Sequence, residues 1–349
     1  MATALSGEAA QQNEDLIAQV TEMADRYRDG GQIGDLVRLR DLRVRAGQRI
    51  SDEILTGWAG DEEEIPPQLF ESESSDLPEI DVRELSIEAL RSAMHHNGAL
   101  IVRNFFSPRE AFDYQREIEG VIEAAREHHE FEVNGEPEVR STNSKARFLP
   151  LKKPASEERG GSHAFLGKSG AIETFLSPRV SAKLLDSFEN QGLRGLLQAY
   201  FQDEPCLSFK KSVLRRSEPL KHPAEWHQDG AFMNKGIQSL NLWISLTDCG
   251  DGTESPGMDL IPRRLTSVLP TGTNGAIFDW SVSGATVVEA FPDTTPARPF
   301  FAAGDAVFFD HFNLHATSSS PAFTQPRYAI ETWFFSKSRC ALNQIPVFW

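Results

Sequence analysis

The chain has 349 residues, of which 40% are hydrophobic and 25% charged, so its size and composition are those of a globular protein with a substantial core. The formal net charge of -16 at pH 7 disfavours nucleic acid or an anionic membrane as the main partner, because both would be repelled. A small-molecule substrate is therefore expected, and 23 Phe against 4 Tyr suggest an apolar interior or pocket.

Features of the termini and cysteines predict a cytoplasmic protein. Cys206, Cys249 and Cys340 are far apart and odd in number, which favours a reducing compartment over a disulfide framework. The N-terminal residues show no basic start followed by an apolar run, and no apolar run is long enough to span a membrane.

Two amphipathic helices are predicted near the N-terminus. Apolar residues recur at spacings of three and four over residues 11–28, and a second helix is expected over residues 35–50. The second helix carries Arg38, Arg40, Arg43, Arg45 and Arg49. Its basic face could contact the acidic remainder of the chain, a second subunit, an anionic substrate or only solvent, so self-association through this arm is one expectation.

A linker is predicted after these helices. Residues 61–79 are acidic and interrupted by proline. We therefore expect a helical arm with its linker over residues 1–78 and a catalytic domain over residues 79–349.

The first part of that domain reads as helix, turn, strand and helix. The turn is expected at Asn97 and Gly98, the strand over Ala99–Arg103, and the next helix is entered through Ser107 and Pro108. Residues 132–180 show no clear period and are predicted to form long loops.

Short strands dominate from residue 206 onward. The strand-like segments are "CLSFKKSVLRR", "QSLNLWISLTD", "MDLIP", "DAVFFDHFNLH" and "RYAIETWFF". Turn residues separate them, which is typical of an antiparallel barrel or a double-sheet jelly roll. The predicted class is mainly β with flanking helices.

The segment "EWHQDG" could hold a metal ion. Side chains at i and i+2 of an extended segment point the same way, so His227 and Asp229 could chelate one ion while Gln228 faces away. Taken alone, a hydrogen-bonded pair in a polar turn is the competing interpretation.

A third ligand is available downstream, at His311 or His315. His315 precedes the polar run "ATSSS", as a ligand at a strand end should, which favours it over His311. Two histidines and one carboxylate form the facial ligand set of non-haem Fe(II) oxygenases, which commonly use 2-oxoglutarate with O2. A hairpin through "SSSPAFTQP" would bring Arg327 alongside, where its guanidinium could pair with a carboxylate. The periodicity of the strand does not decide which way Arg327 points.

Together these motifs resemble the phytanoyl-CoA dioxygenase family of Fe(II)- and 2-oxoglutarate-dependent oxygenases. The resemblance covers roughly residues 85–335 and includes "NGALIVRNFFSPREA", "WHQDG", "LNLWISLTD", "PGMDLIP", "GDAVFFDHFNLHATS" and "RYAIETWFF". It implies a double-stranded β-helix, which is a cupin-like jelly roll, and we expect the N-terminal helical arm to be an extension that this family core does not require.

The resemblance also implies roles for residues. His227, Asp229 and His315 would bind Fe(II), Arg327 would anchor 2-oxoglutarate, and Thr317 and Trp243 would line the cosubstrate site. The implied reaction consumes O2, releases succinate and CO2, and hydroxylates an unactivated C–H bond, with desaturation, ring closure and epimerisation as open alternatives.

One position departs from the family pattern. Where the family usually has Gly-Ser-His after "PGMDLIP", this chain has Arg263 and Arg264, which could select an anionic substrate or face solvent. The expected substrate residues are Trp226, Gln228, Phe232 and Arg264, and the many phenylalanines favour a lipid or natural-product intermediate. Two alternatives stay open: a non-catalytic metal-binding scaffold of this fold, and a Zn(II) hydrolase with the same ligands.

Overall fold

The structure is a computed structural model that describes residues 7–51, 65–71, 77–134, 141–151, 170–219, 225–233, 236–341 and 344–348. The chain divides into two compact units. The helical unit comprises Met1–Gly57, Tyr114–Leu214 and Phe335–Trp349, and the sheet unit comprises Trp58–Asp113 and Arg215–Phe334. The domain boundary expected after residue 78 stays a prediction.

Helices occur at the N-terminal end of the described chain and between its strands. In chain order the α-helices are α1 (Gly7–Arg28), α2 (Ile33–Ser51), α3 (Ile87–His96), α4 (Pro108–Asn134), α5 (Thr142–Arg147), α6 (Pro178–Asn190), α7 (Leu193–Phe201) and α8 (Gly284–Ala290). No described helix has both the length and the apolar character needed to cross a membrane.

Strands are short and concentrated in the second half of the chain. They are β1 (Glu79–Asp81), β2 (Ala99–Arg103), β3 (Ala171–Glu173), β4 (Pro205–Ser217), β5 (Trp226–His227), β6 (Ser239–Ser245), β7 (Cys249–Gly250), β8 (Met258–Leu260), β9 (Ser281–Val282), β10 (Phe300–Phe301), β11 (Ala306–Phe309), β12 (His315–Thr317), β13 (Arg327–Ser336) and β14 (Pro346–Val347).

The helical unit contains the two predicted N-terminal helices, which are confirmed as α1 and α2. They pack on each other through a cluster that includes Leu16, Val20 and Leu39, and α2 also contacts α5, α6 and β14. Two of the five arginines of α2, Arg40 and Arg43, are buried, and the other three are exposed. The basic face is therefore divided between the interior and the surface.

The expectation of long loops over residues 132–180 is wrong in part. Helix α5, strand β3 and the start of α6 lie in this range, because Ser141 and Ser177 cap helices and Pro178 occupies a first-turn position. Residues 135–140 and 152–169 lie outside the described residues, as do residues 61–64 and 72–76 of the expected linker; residues 65–71 have no regular structure.

The sheet unit contains two main sheets. The larger has the order β1-β2-β11-β6-β13, in which β1 and β2 are parallel and β11 is antiparallel to both β2 and β6. The second has the order β8-β12-β5-β9 and is antiparallel, and β7 pairs with β10. The unit is thus a mixed, sheet-rich core with flanking helices, and the finer jelly-roll topology stays a prediction.

The predicted sequence of α3, turn, β2 and α4 is confirmed. Gly98 has φ of +82°, a conformation that residues with a side chain rarely adopt, so it permits the tight turn between α3 and β2. Strand β2 is buried from Ala99 to Val102 and pairs with β11 in the middle of the larger sheet.

Two strand predictions near the site need correction. Residues 305–315 do not form one strand: β11 ends at Phe309 and β12 begins at His315, with a turn closed by the Asn313 N–H donating to Asp310 O at 3.1 Å. Nor do β12 and β13 form a hairpin, because β12 pairs with β5 and β8 in the second sheet while β13 lies beside β6 in the larger one. The chain changes sheets in both places.

Candidate metal centre

Two strands of the second sheet place the histidines opposite each other. His227 ends β5, His315 begins β12, and the two residues are direct partners in the antiparallel ladder. Side chains of directly opposed residues share one face of a sheet. The ring centroids of His227 and His315 are accordingly 4.3 Å apart.

Asp229 completes the group from the turn that follows β5. Its Oδ2 lies 3.9 Å from Nε2 of His315, and one ligand atom from each of the three residues lies within 4.8 Å of the others. Asp229 and His315 are buried and His227 is partly buried. Among the described residues this is the only such group of His, Cys, Asp and Glu side chains, and His311 is not part of it.

The backbone around the histidines orients their rings. Nδ1 of His227 lies 3.3 Å from Glu225 O, and Nδ1 of His315 lies 3.2 Å from Asn313 O. A carbonyl oxygen only accepts, so each Nδ1 carries the hydrogen and the lone pair is on Nε2. Two neutral imidazoles and one carboxylate are the donors that Fe(II), and also Zn(II), accepts, so the residues present fit a divalent ion.

Gly230 fixes the turn that presents Asp229. Its N–H donates to His311 O at 2.9 Å, and a Cβ at this position would lie 3.0 Å from the same oxygen. A side chain here would push the turn away from residue 311. The glycine in "WHQDG" therefore allows the close backbone approach that holds the carboxylate in place.

Gln228, between His227 and Asp229 in the chain, is fully buried and acts as a clamp, because its amide joins two loops by hydrogen bonds. Its Nε2 donates to Ser267 O at 2.9 Å and to Phe312 O at 2.6 Å, and its Oε1 accepts from the Leu269 N–H at 2.7 Å. Both amide hydrogens are used by the chain itself. This side chain holds two loops beside the metal ligands, and it offers no hydrogen to a substrate.

Arg327 is a buried cation with neutral partners. Its Nη1 donates to Gly257 O at 2.7 Å and to Pro256 O at 3.3 Å, and its Nη2 donates to Ser217 Oγ at 3.3 Å. Burial lowers the pKa of Arg327 to about 10, so it is still charged at pH 7. The nearby carboxylate of Glu331 pairs instead with Arg215, at 2.7 Å. Within the described residues no carboxylate forms an ion pair with Arg327, and its Nε has no hydrogen-bond partner.

The surroundings of Arg327 connect it to the metal centre. The carbonyl of Gly257 accepts from Ser318 N–H at 3.1 Å as well as from Arg327, so the guanidinium is held at the end of the strand that begins with His315. The guanidinium carbon lies 5.2 Å from the ring centroid of the buried Trp243. Thr317 is on β12, two residues beyond His315 and therefore on the same face.

The other three predicted substrate residues, Trp226, Arg264 and Phe232, make contacts of different kinds. Trp226 is partly buried against an apolar cluster that includes Val282 and Leu314. Arg264 forms an ion pair with the buried Asp310, so its charge is balanced within the chain. The ring of Phe232 meets that of Trp280 with centroids 5.9 Å apart.

Sequence reasoning missed Trp280, whose ring lies 5.7 Å from that of His227. Trp280 directly precedes Ser281, the ladder partner of His227 in β9. No motif marks this residue. The available signal was the pair of aromatic residues in "IFDWSV", which precedes a short strand.

The chain was compared with known proteins. No family model and no curated protein sequence matches it. Among solved structures, it is similar to the non-haem α-ketoglutarate-dependent carbocyclase SnoK from nogalamycin biosynthesis, with 16% identity over 73% of this chain and 85% of that chain and a TM-score of 0.44. It is also similar to EvdO2 from Micromonospora carbonacea var. aurantiaca in complex with 2-oxoglutarate, with 19% identity over 70% of this chain and 88% of that chain and a TM-score of 0.44. Both the sequence identities and the TM-scores of these similarities are low.

Proposed function

We propose that this protein is a non-haem Fe(II)- and 2-oxoglutarate-dependent oxygenase that hydroxylates a hydrophobic small molecule. The observation that carries the proposal is the pairing, within one unit, of a two-histidine, one-carboxylate group with a buried arginine whose hydrogen-bond partners are all neutral. When bound there, Fe(II) with 2-oxoglutarate and O2 supplies the oxidation of a C–H bond to an alcohol, with release of succinate and CO2.

The protein residues divide the work of binding. His227, Asp229 and His315 hold the ion, and the ring of Phe309, 4.7 Å from that of His315, shields one side of the centre from water. Arg327 binds the distal carboxylate of 2-oxoglutarate as a charge-assisted pair, which relieves the cost of its burial. The ring of Trp243 stabilises the guanidinium of Arg327 through a cation–π contact. Thr317 lines the same cosubstrate site.

The same three ligands could also serve a Zn(II) hydrolase. That reaction needs an ion and a bound water but has no use for a buried guanidinium. Since the chain maintains Arg327 at a desolvation cost, an anionic cosubstrate accounts for more of the structure. A non-catalytic scaffold would likewise not explain why the guanidinium of Arg327 is buried.

The proposal is tested by the visible spectrum of the anaerobic, Fe(II)-loaded protein before and after 2-oxoglutarate is added. We expect a charge-transfer band on addition, which Asp229→Ala abolishes. Arg327→Ala should weaken the affinity for 2-oxoglutarate by roughly thirtyfold, because a hydrogen-bonded charge contributes about 2 kcal/mol. Arg83→Ala, which removes an exposed arginine of the same unit, is the matched control and should leave the affinity unchanged.

Three other results would contradict the proposal. Absence of the band in folded, iron-loaded protein would exclude 2-oxoglutarate chelation. Hydrolytic activity that depends on Zn(II) would favour the hydrolase over the oxygenase. Stable binding of another protein, without succinate release, would favour the scaffold.

A further inference from the structure

An aromatic surface extends outward from the metal centre. The ring of Trp280 meets His227 edge to face at 5.7 Å, meets Phe232 at 5.9 Å, and stacks on Phe278 with centroids 4.9 Å apart and an interplanar angle of 2°. Phe278 is 40% exposed. We call Phe232, Phe278 and Trp280 the aromatic shelf.

The shelf is held in place relative to the metal ligands. Oε2 of Glu225, two residues before His227, accepts from the Ile277 N–H at 3.1 Å and from Ser281 Oγ at 2.8 Å. Ser281 is in turn the ladder partner of His227. The loop that carries Phe278 and Trp280 is therefore anchored at both ends to the strand of the first ligand.

The charged side chains of this region also limit the net charge that a bound substrate can carry. Arg264, a residue that could have selected an anion, forms an ion pair with Asp310. The apolar side chains at the outer end, Ile277 and Phe278, are exposed, and Ile277 is 69% exposed. Because Asp310 neutralises Arg264 and the loop carries the exposed carboxylate of Asp279, an anionic ligand is disfavoured, and the exposed apolar side chains favour a ligand that buries apolar area.

We propose that the aromatic shelf binds an uncharged, planar, unsaturated ring system and places one of its substituents at the metal centre. A rigid aromatic ring can stack on the exposed Phe278, whose ring is backed by the stacked Trp280, with a gain beyond simple apolar burial, and it loses little conformational entropy on binding. A flexible acyl chain has neither advantage. This inference rests on the proposed function, since it names the substrate class of the same site.

Binding without iron or 2-oxoglutarate tests the inference separately from the chemistry. The probes are 2-naphthalenemethanol and its saturated bicyclic counterpart, decahydro-2-naphthalenemethanol, and the measurement is isothermal titration calorimetry on the full-length, metal-free protein. We expect tighter binding of the planar probe. Phe278→Leu, which keeps apolar area but removes the ring, should weaken that binding by about 2- to 10-fold and leave the saturated probe unaffected.

Phe300→Ala is the matched control, because Phe300 is 44% exposed on β10 and has no part in the shelf. It should bind both probes as the wild type does. Equal affinity for the two probes, or equal affinity of wild type and Phe278→Leu for the planar probe, would overturn the planar-ring class. The Fe(II) spectrum is independent of these results, so failure of the shelf and failure of the oxygenase proposal are distinguishable.

Discussion

At the residue scale, Gln228 shows how one buried amide organises the metal centre. Replacing it with methionine keeps the volume but leaves Ser267 O, Phe312 O and Leu269 N–H without their partner. We expect Gln228→Met to lower the free energy of unfolding by about 2–4 kcal/mol, since it removes three hydrogen bonds of the buried amide, each of which contributes about 1 kcal/mol. Urea unfolding measures this, with the exposed Gln68→Met as control; a loss no greater than that of the control would contradict the clamp.

The pair of Arg215 and Glu331 should make stability depend on pH. Burial by itself raises the pKa of Glu331, but the charge and hydrogen bond of Arg215, together with the charge of Arg327, outweigh it and hold the pKa below its ordinary value of 4.5. A carboxylate with a lowered folded pKa contributes stability that is complete above about pH 4.5 and is lost as the pH falls through the folded value.

Glu331→Gln removes that contribution while keeping the shape of the side chain. We expect it to cost about 1–3 kcal/mol at pH 7, and we expect the difference from wild type to shrink on acidification below pH 4.5. Urea unfolding at a series of pH values measures the effect. Glu289→Gln at the end of α8, where the side chain is exposed, is the control. A difference that stays constant down to the acid transition would contradict the assigned role.

At the scale of elements, helix α2 carries a buried arginine, whose charge is costly to remove from water. Arg43 is buried, and burial lowers its pKa to about 9, although Asp186 acts in the opposite direction. Asp186 keeps its hydrogen bond to Arg28 at 2.9 Å when Arg43 is removed.

Arg43→Met should therefore stabilise the protein by about 1–3 kcal/mol at pH 7, because a methionine fills similar space without desolvating a charge. A cation with a lowered folded pKa destabilises most below that pKa, so the gain should diminish as the pH rises above about 9. Thermal unfolding of Arg43→Met beside Arg38→Met, an exposed arginine of the same helix, measures this. A lower melting temperature for Arg43→Met would show that the buried charge is needed.

At the scale of the whole molecule, the N-terminal helices are part of the helical unit's core. Leu16, Val20 and Leu39 are buried between α1 and α2, and α2 covers α5, α6 and β14. Removing residues 1–57 would expose the apolar surfaces under α2. We expect the truncated protein to melt at least several degrees lower or to aggregate, as measured by circular dichroism and size-exclusion chromatography. An unchanged melting temperature would show that this arm is dispensable for stability.

The features that the sequence predicted correctly are those that depend on residues close together in the chain. Periodicity and turn residues predicted α1, α2, the α3-turn-β2-α4 segment and the strands β4, β6 and β13, because these signals act between near neighbours. The His227 and Asp229 pair was visible for the same reason. Residues 305–315 were read as one strand because an apolar run does not show where a chain leaves one sheet for another.

The sequence by itself identified His227 and Asp229 as a candidate pair of metal ligands and indicated which chemistry their residue types favour. The sequence favoured His315 over His311 as the third member, and the tertiary structure showed why: His315, and not His311, lies directly opposite His227 of β5. Only the tertiary structure decided that Arg327 points inward to neutral carbonyls and that Trp280 lies beside His227. These features depend on contacts between residues far apart in the chain, and no local spacing encodes them.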